Sequence, residues 1–113
     1  MKIRRITELL HAEVLAGEAQ LDDDVNSACG SDMMSDVLAH VKDQAVLLTG
    51  LVNPQVVRTA MMMDMCCIVF VRAKYPTQEM IDLATENHIV MLHTKKRMYE
   101  ACGILYHNGL GRL

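Results

Sequence analysis

Along the chain, apolar positions alternate between helical and extended spacing, and the alternation itself predicts an order of elements. Ile3, Ile6 and Leu10 recur at intervals of three and four, which predicts a short first helix over residues 2–10, followed by a brief strand around Ala12 to Ala16 that Gly17 ends. The polar piece GEAQLDDDVNSACG predicts a solvated loop around the acidic triplet Asp22-Asp23-Asp24, with a second short extended segment near Val25 to Cys29. From Ser31 onward, Met34, Val37, Leu38 and Val41 follow the i, i+3, i+4, i+7 pattern of a helix that buries one face.

The next segments are more regular. AVLLTG is a strand, and Asn53-Pro54 is a strong helix start. The asparagine accepts from free backbone N–H groups, and proline occupies the first helical position, where its missing donor costs nothing. That helix is expected to reach about Asp64. MCCIVFVR is an almost continuous apolar run with β-branched Ile68, Val69 and Val71, as in a strand covered on both faces. A turn at Tyr75-Pro76-Thr77 then leads into a helix to about Asn87 with Met80, Leu83 and Ala84 on one side, and IVMLHT supplies another strand. Thr94 is placed to cap a last helix in which Met98, Ala101, Cys102, Leu105 and Tyr106 share a stripe, and Asn108-Gly109 supplies its stop.

From Ala45 the order is strand, helix, strand, helix, strand, helix, the signature of parallel strands joined by right-handed crossovers. The expectation is a small layered α/β/α domain with a mostly parallel or mixed sheet, one domain over residues 1–113. The strand ends that feed helices converge on one edge, where open α/β sheets hold ligands, and here that edge gathers Thr49, Gly50, Asn53, Arg72 and Thr94.

Composition narrows the class. Of 113 residues, 51% are apolar and 22% charged, which suits a chain with a substantial core rather than a disordered one. The net charge of −3 gives no electrostatic reason to expect nucleic acid or an anionic membrane as partner, and the cluster Lys95-Lys96-Arg97 is too short to alter that. With no membrane-length apolar run and no signal-like core behind MKIRRITELL, a cytoplasmic location is expected. Cys29, Cys66, Cys67 and Cys102 lack CxxC spacing, so reduced cytosolic thiols are expected.

Candidate chemistry is sparse. The chain carries no GxSxG, Walker loop, GxGxxG or HExxH, and its five histidines form no i, i+4 pair; surface or loop-end positions are expected for them. The run MMMDMCC, Met61 to Cys67, offers soft ligands, but neighbouring residues of a strand point to opposite faces, so Cys66 and Cys67 do not suit one metal; packing, or an adaptable methionine-rich partner surface, is the simpler role. The two Ser-Asp pairs of GSDMMSDVLA leave two roles open. Ser31 can cap the helix with Asp32 at the positive end of its dipole, or the helix start behind Gly30 can offer N–H groups to a phosphate, which Asp32 would oppose.

EVLAGE, SDMMSDVLAH, AVLLTG and IDLATENHIVMLHTKKRMYEACGILYHNGL together resemble a stand-alone DRTGG-domain protein over nearly the whole chain. The most specific block is S-D-x-x-S-D-V-x-A, carried by Ser31, Asp32, Ser35, Asp36, Val37 and Ala39; the closing pattern is matched by Thr94, Tyr99, Glu100, Gly103 and Leu105. The namesake motif is degraded to NSACG, with Gly30 as its surviving glycine. The resemblance implies a non-catalytic regulatory or assembly module. Such domains are similar to the N-terminal domain of HPr kinase/phosphorylase, and occur within phosphotransacetylases and between the CBS domains of regulated pyrophosphatases, where they support dimerisation and approach a nucleotide ligand.

No kinase domain accompanies the resemblance here, so an HPr kinase activity is not expected. The resulting expectation is a homodimer without cofactor or metal that senses a small phosphorylated or nucleotide ligand or docks a partner protein. Ser31, Asp32, Thr49, Gly50, Asn53, Arg72 and Thr94 would line its pocket, with Arg72 the preferred phosphate contact. Exposed methionines and helix faces would form the interface. The competing expectation is a redox or metal-handling accessory protein that uses the four cysteines.

Overall fold

The computed structural model describes residues 1–41 and 44–111, so the last two positions of the expected 1–113 domain lie outside the described residues. The elements are α1 (Ile3–Leu9), β1 (Glu13–Ala16), a single 3₁₀ turn (Glu18–Gln20), β2 (Ser27–Gly30), α2 (Met34–His40), β3 (Ala45–Thr49), α3 (Pro54–Met62), β4 (Cys67–Phe70), α4 (Gln78–Glu86), β5 (Val90–His93) and α5 (Met98–His107). The strands form one sheet in the order β1-β5-β4-β3-β2. β2 to β5 are parallel, and β1 joins the edge antiparallel to β5, so the sheet is mixed, as expected.

The connectivity explains the layers. From β2 to β5 each strand is laid beside the last in one direction, so crossovers of one hand put all three connecting helices on the same face. There Val37 of α2, Val56, Val57 and Ala60 of α3, and Met80 and Ala84 of α4 pack on Leu47, Ile68, Phe70 and Met91. The opposite side chains of the same strands, Val46, Leu48, Cys67, Val69, Val90 and Leu92, meet Ile3, Ile6 and Leu10 together with Ala101 and Leu105 of α5. β3, β4 and β5 are buried at every position because both faces are covered.

Two helix starts behave as their sequences dictate. Asn53 Oδ1 accepts from the Gln55 N–H at 2.8 Å with Pro54 behind it, and Thr77 Oγ1 accepts from the Met80 N–H at 3.3 Å.

Other starts differ from expectation. α2 begins at Met34 with Met33 as its N-cap, so Ser31 is not the cap and Asp32 does not sit on the helix dipole. The Ser31 N–H donates to Leu48 O at 3.0 Å, prolonging the sheet, and its hydroxyl accepts from the Met33 N–H at 3.0 Å in a local turn. α2 also buries only Val37, leaving Leu38 exposed. Thr94 does not cap α5, whose N-cap is Arg97 without a side-chain bond. Its buried hydroxyl instead donates to Leu10 O at 2.8 Å, satisfying a carbonyl that the end of α1 leaves free, and accepts from the Lys96 N–H at 3.2 Å.

The acidic triplet is solvent-exposed, as expected of a solvated turn, and is also paired with the start of α1. Arg4 Nε meets Asp22 Oδ1 at 2.9 Å, Lys2 Nζ meets Asp24 Oδ2 at 3.4 Å, and the Ile3 N–H donates to Asp23 O at 3.0 Å, tying the triplet to the start of α1.

Candidate functional site: the carboxyl edge of the sheet

Four of the residues expected to form a site meet at the carboxyl ends of β2, β3 and β4. Asp32, two residues past β2, accepts through Oδ1 from the Gly50 N–H at 2.7 Å and from Thr49 Oγ1 at 3.1 Å, and through Oδ2 from Arg72 Nη2 at 2.8 Å. Thr49 is fully buried, and its hydroxyl also accepts from the Leu51 N–H at 3.1 Å. The Gly50 N–H, followed by Arg72 and Thr49, holds the Asp32 carboxyl below the ordinary carboxylate range against the opposing effect of burial. Gly50 leaves room for the Arg72 guanidinium, which a Cβ at that position would push away from Asp32.

Arg72 is aimed by its backbone. Arg72 and Ala73 are consecutive non-glycine residues with φ of 59° and 57°, a left-handed pair that costs about 1–2 kcal/mol per residue in isolation. Their N–H groups are held from outside the turn, Arg72 N–H by Lys96 O at 2.8 Å and Ala73 N–H by Thr94 O at 3.1 Å. The β4–α4 and β5–α5 loops are thereby locked together, and such stored strain is characteristic of binding and switch regions.

Of the remaining expected residues, Ser31 sits beside Asp32 in its own turn, Asn53 is engaged in capping α3, and Thr94 faces Leu10 rather than the cluster.

The same two loops concentrate cationic charge. Arg72, Lys74, Lys95, Lys96 and Arg97 are five of the chain's eleven lysines and arginines. Arg72 pairs with Asp32, and Lys96 lies 3.9 Å from Glu100; Lys74, Lys95 and Arg97 make no ion pair among the described residues. At the opposite end of the strands, Asp22, Asp23, Asp24 and Asp64 line one cleft. An acidic chain therefore presents one basic edge, which attracts anions.

Beside this edge, where β1 pairs with β5, lies a pocket of about 540 Å³. Tyr75 stacks on His93 with ring centroids 3.9 Å apart, and its hydroxyl donates to Glu13 Oε1 at 2.7 Å. His93 is only 5% exposed, which corrects the expectation of a surface or loop-end histidine. It is buried because pairing with Glu13 on one side and Phe70 on the other encloses the end of β5. Glu13, Tyr75 and His93 were not singled out by the sequence. Their meeting depends on the antiparallel β1–β5 register, which no spacing in the chain encodes.

The cysteines sit elsewhere. Burial pushes all four thiols up, with Asp36 adding to the effect at Cys29 and Cys29 at Cys102; at Cys67, which is fully buried, the rise is largest. Reactive and metal-ligating cysteines need the opposite shift. Among the described residues no three His, Cys, Asp or Glu side chains converge as metal ligands. Cys66 lies just before β4 and packs against the same cluster as Cys67, not on the opposite face. Gly30 lets α5 approach β2, since a Cβ there would come within 2.8 Å of Cys102 Sγ. No helix among the described residues is long and apolar enough to cross a membrane.

The fold and its polar carboxyl edge define a small three-layer α/β domain with a singly wound mixed sheet. The chain belongs to the DRTGG-domain family, whose model matches residues 5–107. It is similar in structure to the CBS and DRTGG domains of the regulatory region of Clostridium perfringens pyrophosphatase, a structure determined in complex with the activator diadenosine tetraphosphate. The TM-score is 0.78 at 14% identity, over 98% of this chain and 48% of that one, so this chain spans about half of its structural neighbour. No curated protein matches the sequence.

Proposed function

We propose that this chain is a single, non-catalytic regulatory module whose carboxyl sheet edge receives a small phosphorylated or nucleotide ligand. The observation that carries the reading is the gathering of Arg72, Lys74, Lys95, Lys96 and Arg97 on two interlocked loops of an otherwise acidic protein. Arg72 is the switchable member. Its guanidinium rests on Asp32, 43% exposed, and a phosphate offers the same bidentate geometry with more charge. Exchange of Asp32 for a phosphate frees the Asp32 carboxylate, and with it the grip on Thr49 and Gly50 at the start of the β3–α3 loop. Ser31, next to Asp32, and Asn53, at the start of α3, are proposed as further contacts. The structural neighbour is a regulatory region bound to a nucleotide activator, which supports the same class of ligand here.

A panel of nucleotides and phosphorylated metabolites, followed by thermal shift, tests the reading. A ligand present at 100 times its Kd contributes about 2.7 kcal/mol of apparent stability, and Arg72→Ala should abolish that shift. Absence of stabilisation by any member at millimolar concentration would exclude ligand sensing and leave partner docking.

As an assembly module, the protein is proposed to form a homodimer across the β2 side of the sheet, where β2 is the edge strand among the described residues. That edge is flanked by the exposed side chains Met33 and Leu38 on the α2 side and Tyr99 and Tyr106 on α5, and by a groove of about 710 Å³ against α5. An edge strand flanked by apolar side chains on both sides makes a surface that a two-fold axis can pair with itself. Light scattering at tens of micromolar should report twice the chain mass; a monomer would refute the dimer.

A further inference from the structure

The pocket beside β1 contains more than a place for an anion. It is lined by the stacked Tyr75 and His93, by Leu10 and Glu13, and by Lys95 and Lys96. His93 Nδ1 lies 2.9 Å from Lys74 O; a carbonyl only accepts, so in the neutral ring Nδ1 holds the proton and Nε2 is an acceptor. Among the described residues Nε2 of the almost fully buried His93 makes no hydrogen bond, and His93 lines the pocket. Glu13 uses Oε1 for Tyr75, which leaves Oε2 as a second acceptor.

One pocket therefore presents an aromatic platform, two hydrogen-bond acceptors and two ammonium groups. A bare phosphate leaves the platform unused and faces Glu13. An uncharged ring leaves the lysines unused. A ligand with a ring, ribose hydroxyls or an exocyclic amine to donate, and a phosphate satisfies all of them, and about 540 Å³ is within the size range of small-ligand sites.

We propose that this pocket binds the nucleoside portion of a nucleoside phosphate. The ring lies against Tyr75, the donors meet Glu13 and His93, and the phosphates extend over Lys95 and Lys96 toward Arg72. The inference rests on the reading of the carboxyl edge as phosphate-responsive, and it names the ligand class and the place of its ring. Lys96 O holds the Arg72 N–H at 2.8 Å, so a ligand on the lysines is directly linked to the backbone that aims Arg72.

Isothermal titration of the full chain with adenosine, guanosine, cytidine and uridine diphosphates, with inorganic pyrophosphate as comparison, tests it. At least one nucleoside diphosphate should bind about tenfold or more tightly than pyrophosphate. Tyr75→Ala should remove that preference while leaving pyrophosphate binding unchanged, and Tyr75→Phe should retain it. Lys95→Glu should weaken both kinds of ligand. Tyr75 and Lys95 are exposed, and an unchanged melting temperature verifies that the variants fold.

Arg72-dependent binding of pyrophosphate with no gain from the nucleoside would overturn this proposal and leave the edge reading standing. A preference that survives Tyr75→Ala would overturn it equally. No binding of any of the five compounds at 5 mM would overturn this proposal, whereas the edge reading falls only if the phosphorylated metabolites of the thermal-shift panel fail as well.

Discussion

Asp32→Ala is the substitution that most directly tests how the carboxyl edge is held. The side chain accepts three hydrogen bonds, from Gly50, Thr49 and Arg72. The Arg72 pair is roughly 40% exposed on both sides, so it contributes only about 0.5 kcal/mol. The bonds from the Gly50 N–H and the buried Thr49 hydroxyl to a charged acceptor are worth more, about 1.5 kcal/mol together after allowance for partial exposure.

The expected loss is therefore about 2 kcal/mol, a fall in Tm of about 8 °C for a chain of this length. Arg72→Ala should cost only about 0.5 kcal/mol. Urea unfolding at fixed temperature measures both. The pH dependence adds an independent check. Because the folded Asp32 carboxyl titrates below its ordinary 3.8, its contribution is complete above that value and is lost as pH falls through the folded value. The stability gap between wild type and Asp32→Ala should stay constant from about pH 5 to 8 and close below about pH 4. A loss under 0.5 kcal/mol at pH 7, or Arg72→Ala as damaging as Asp32→Ala, would refute the assignment of the main role to the Gly50 N–H and Thr49.

Three further outcomes follow. Gly30→Ala should destabilise by about 1–3 kcal/mol in urea unfolding through its collision with Cys102 Sγ, and adding Cys102→Ala should restore most of it. Thr94→Val should cost about 1–3 kcal/mol in the same assay, because the buried Leu10 carbonyl and Lys96 N–H lose their partner. Thiol alkylation at neutral pH should be slow at all four cysteines and accelerate as pH rises, with Cys67 modified only on unfolding; rapid labelling of Cys67 in the native protein would contradict its burial.

The parts of the fold legible in the sequence are those governed by local chemistry or by burial on two sides. Asn53-Pro54 starts α3 because asparagine and proline need nothing beyond the first turn, and the apolar runs of β3, β4 and β5 admit few alternatives. Ser31 and Thr94 are equally good caps by residue type, yet tertiary partners took both. Asp32 is drawn to Gly50 and Arg72, which delays α2 to Met34, and Thr94 is drawn to Leu10, 84 positions away.

The candidate site divides the same way. Thr49, Gly50 and Arg72 were legible because strand ends in a parallel sheet must share an edge. The left-handed turn at Arg72-Ala73 was not, since neither residue type signals positive φ. Nor was the Glu13–Tyr75–His93 group, assembled by pairing strands from opposite ends of the chain.

That last pairing also bears on how the molecule is made. β1 is synthesised second among the elements but rests on β5, and Leu10 waits for Thr94. During synthesis β1 has no strand to pair with until β5 has been made, although β2, β3 and β4 can already assemble beside one another and α1 can already rest on β3 and β4. The β1–β5 pairing is thus later than that of β2, β3 and β4, and a substitution that weakens it should slow a late folding phase without altering the earlier one.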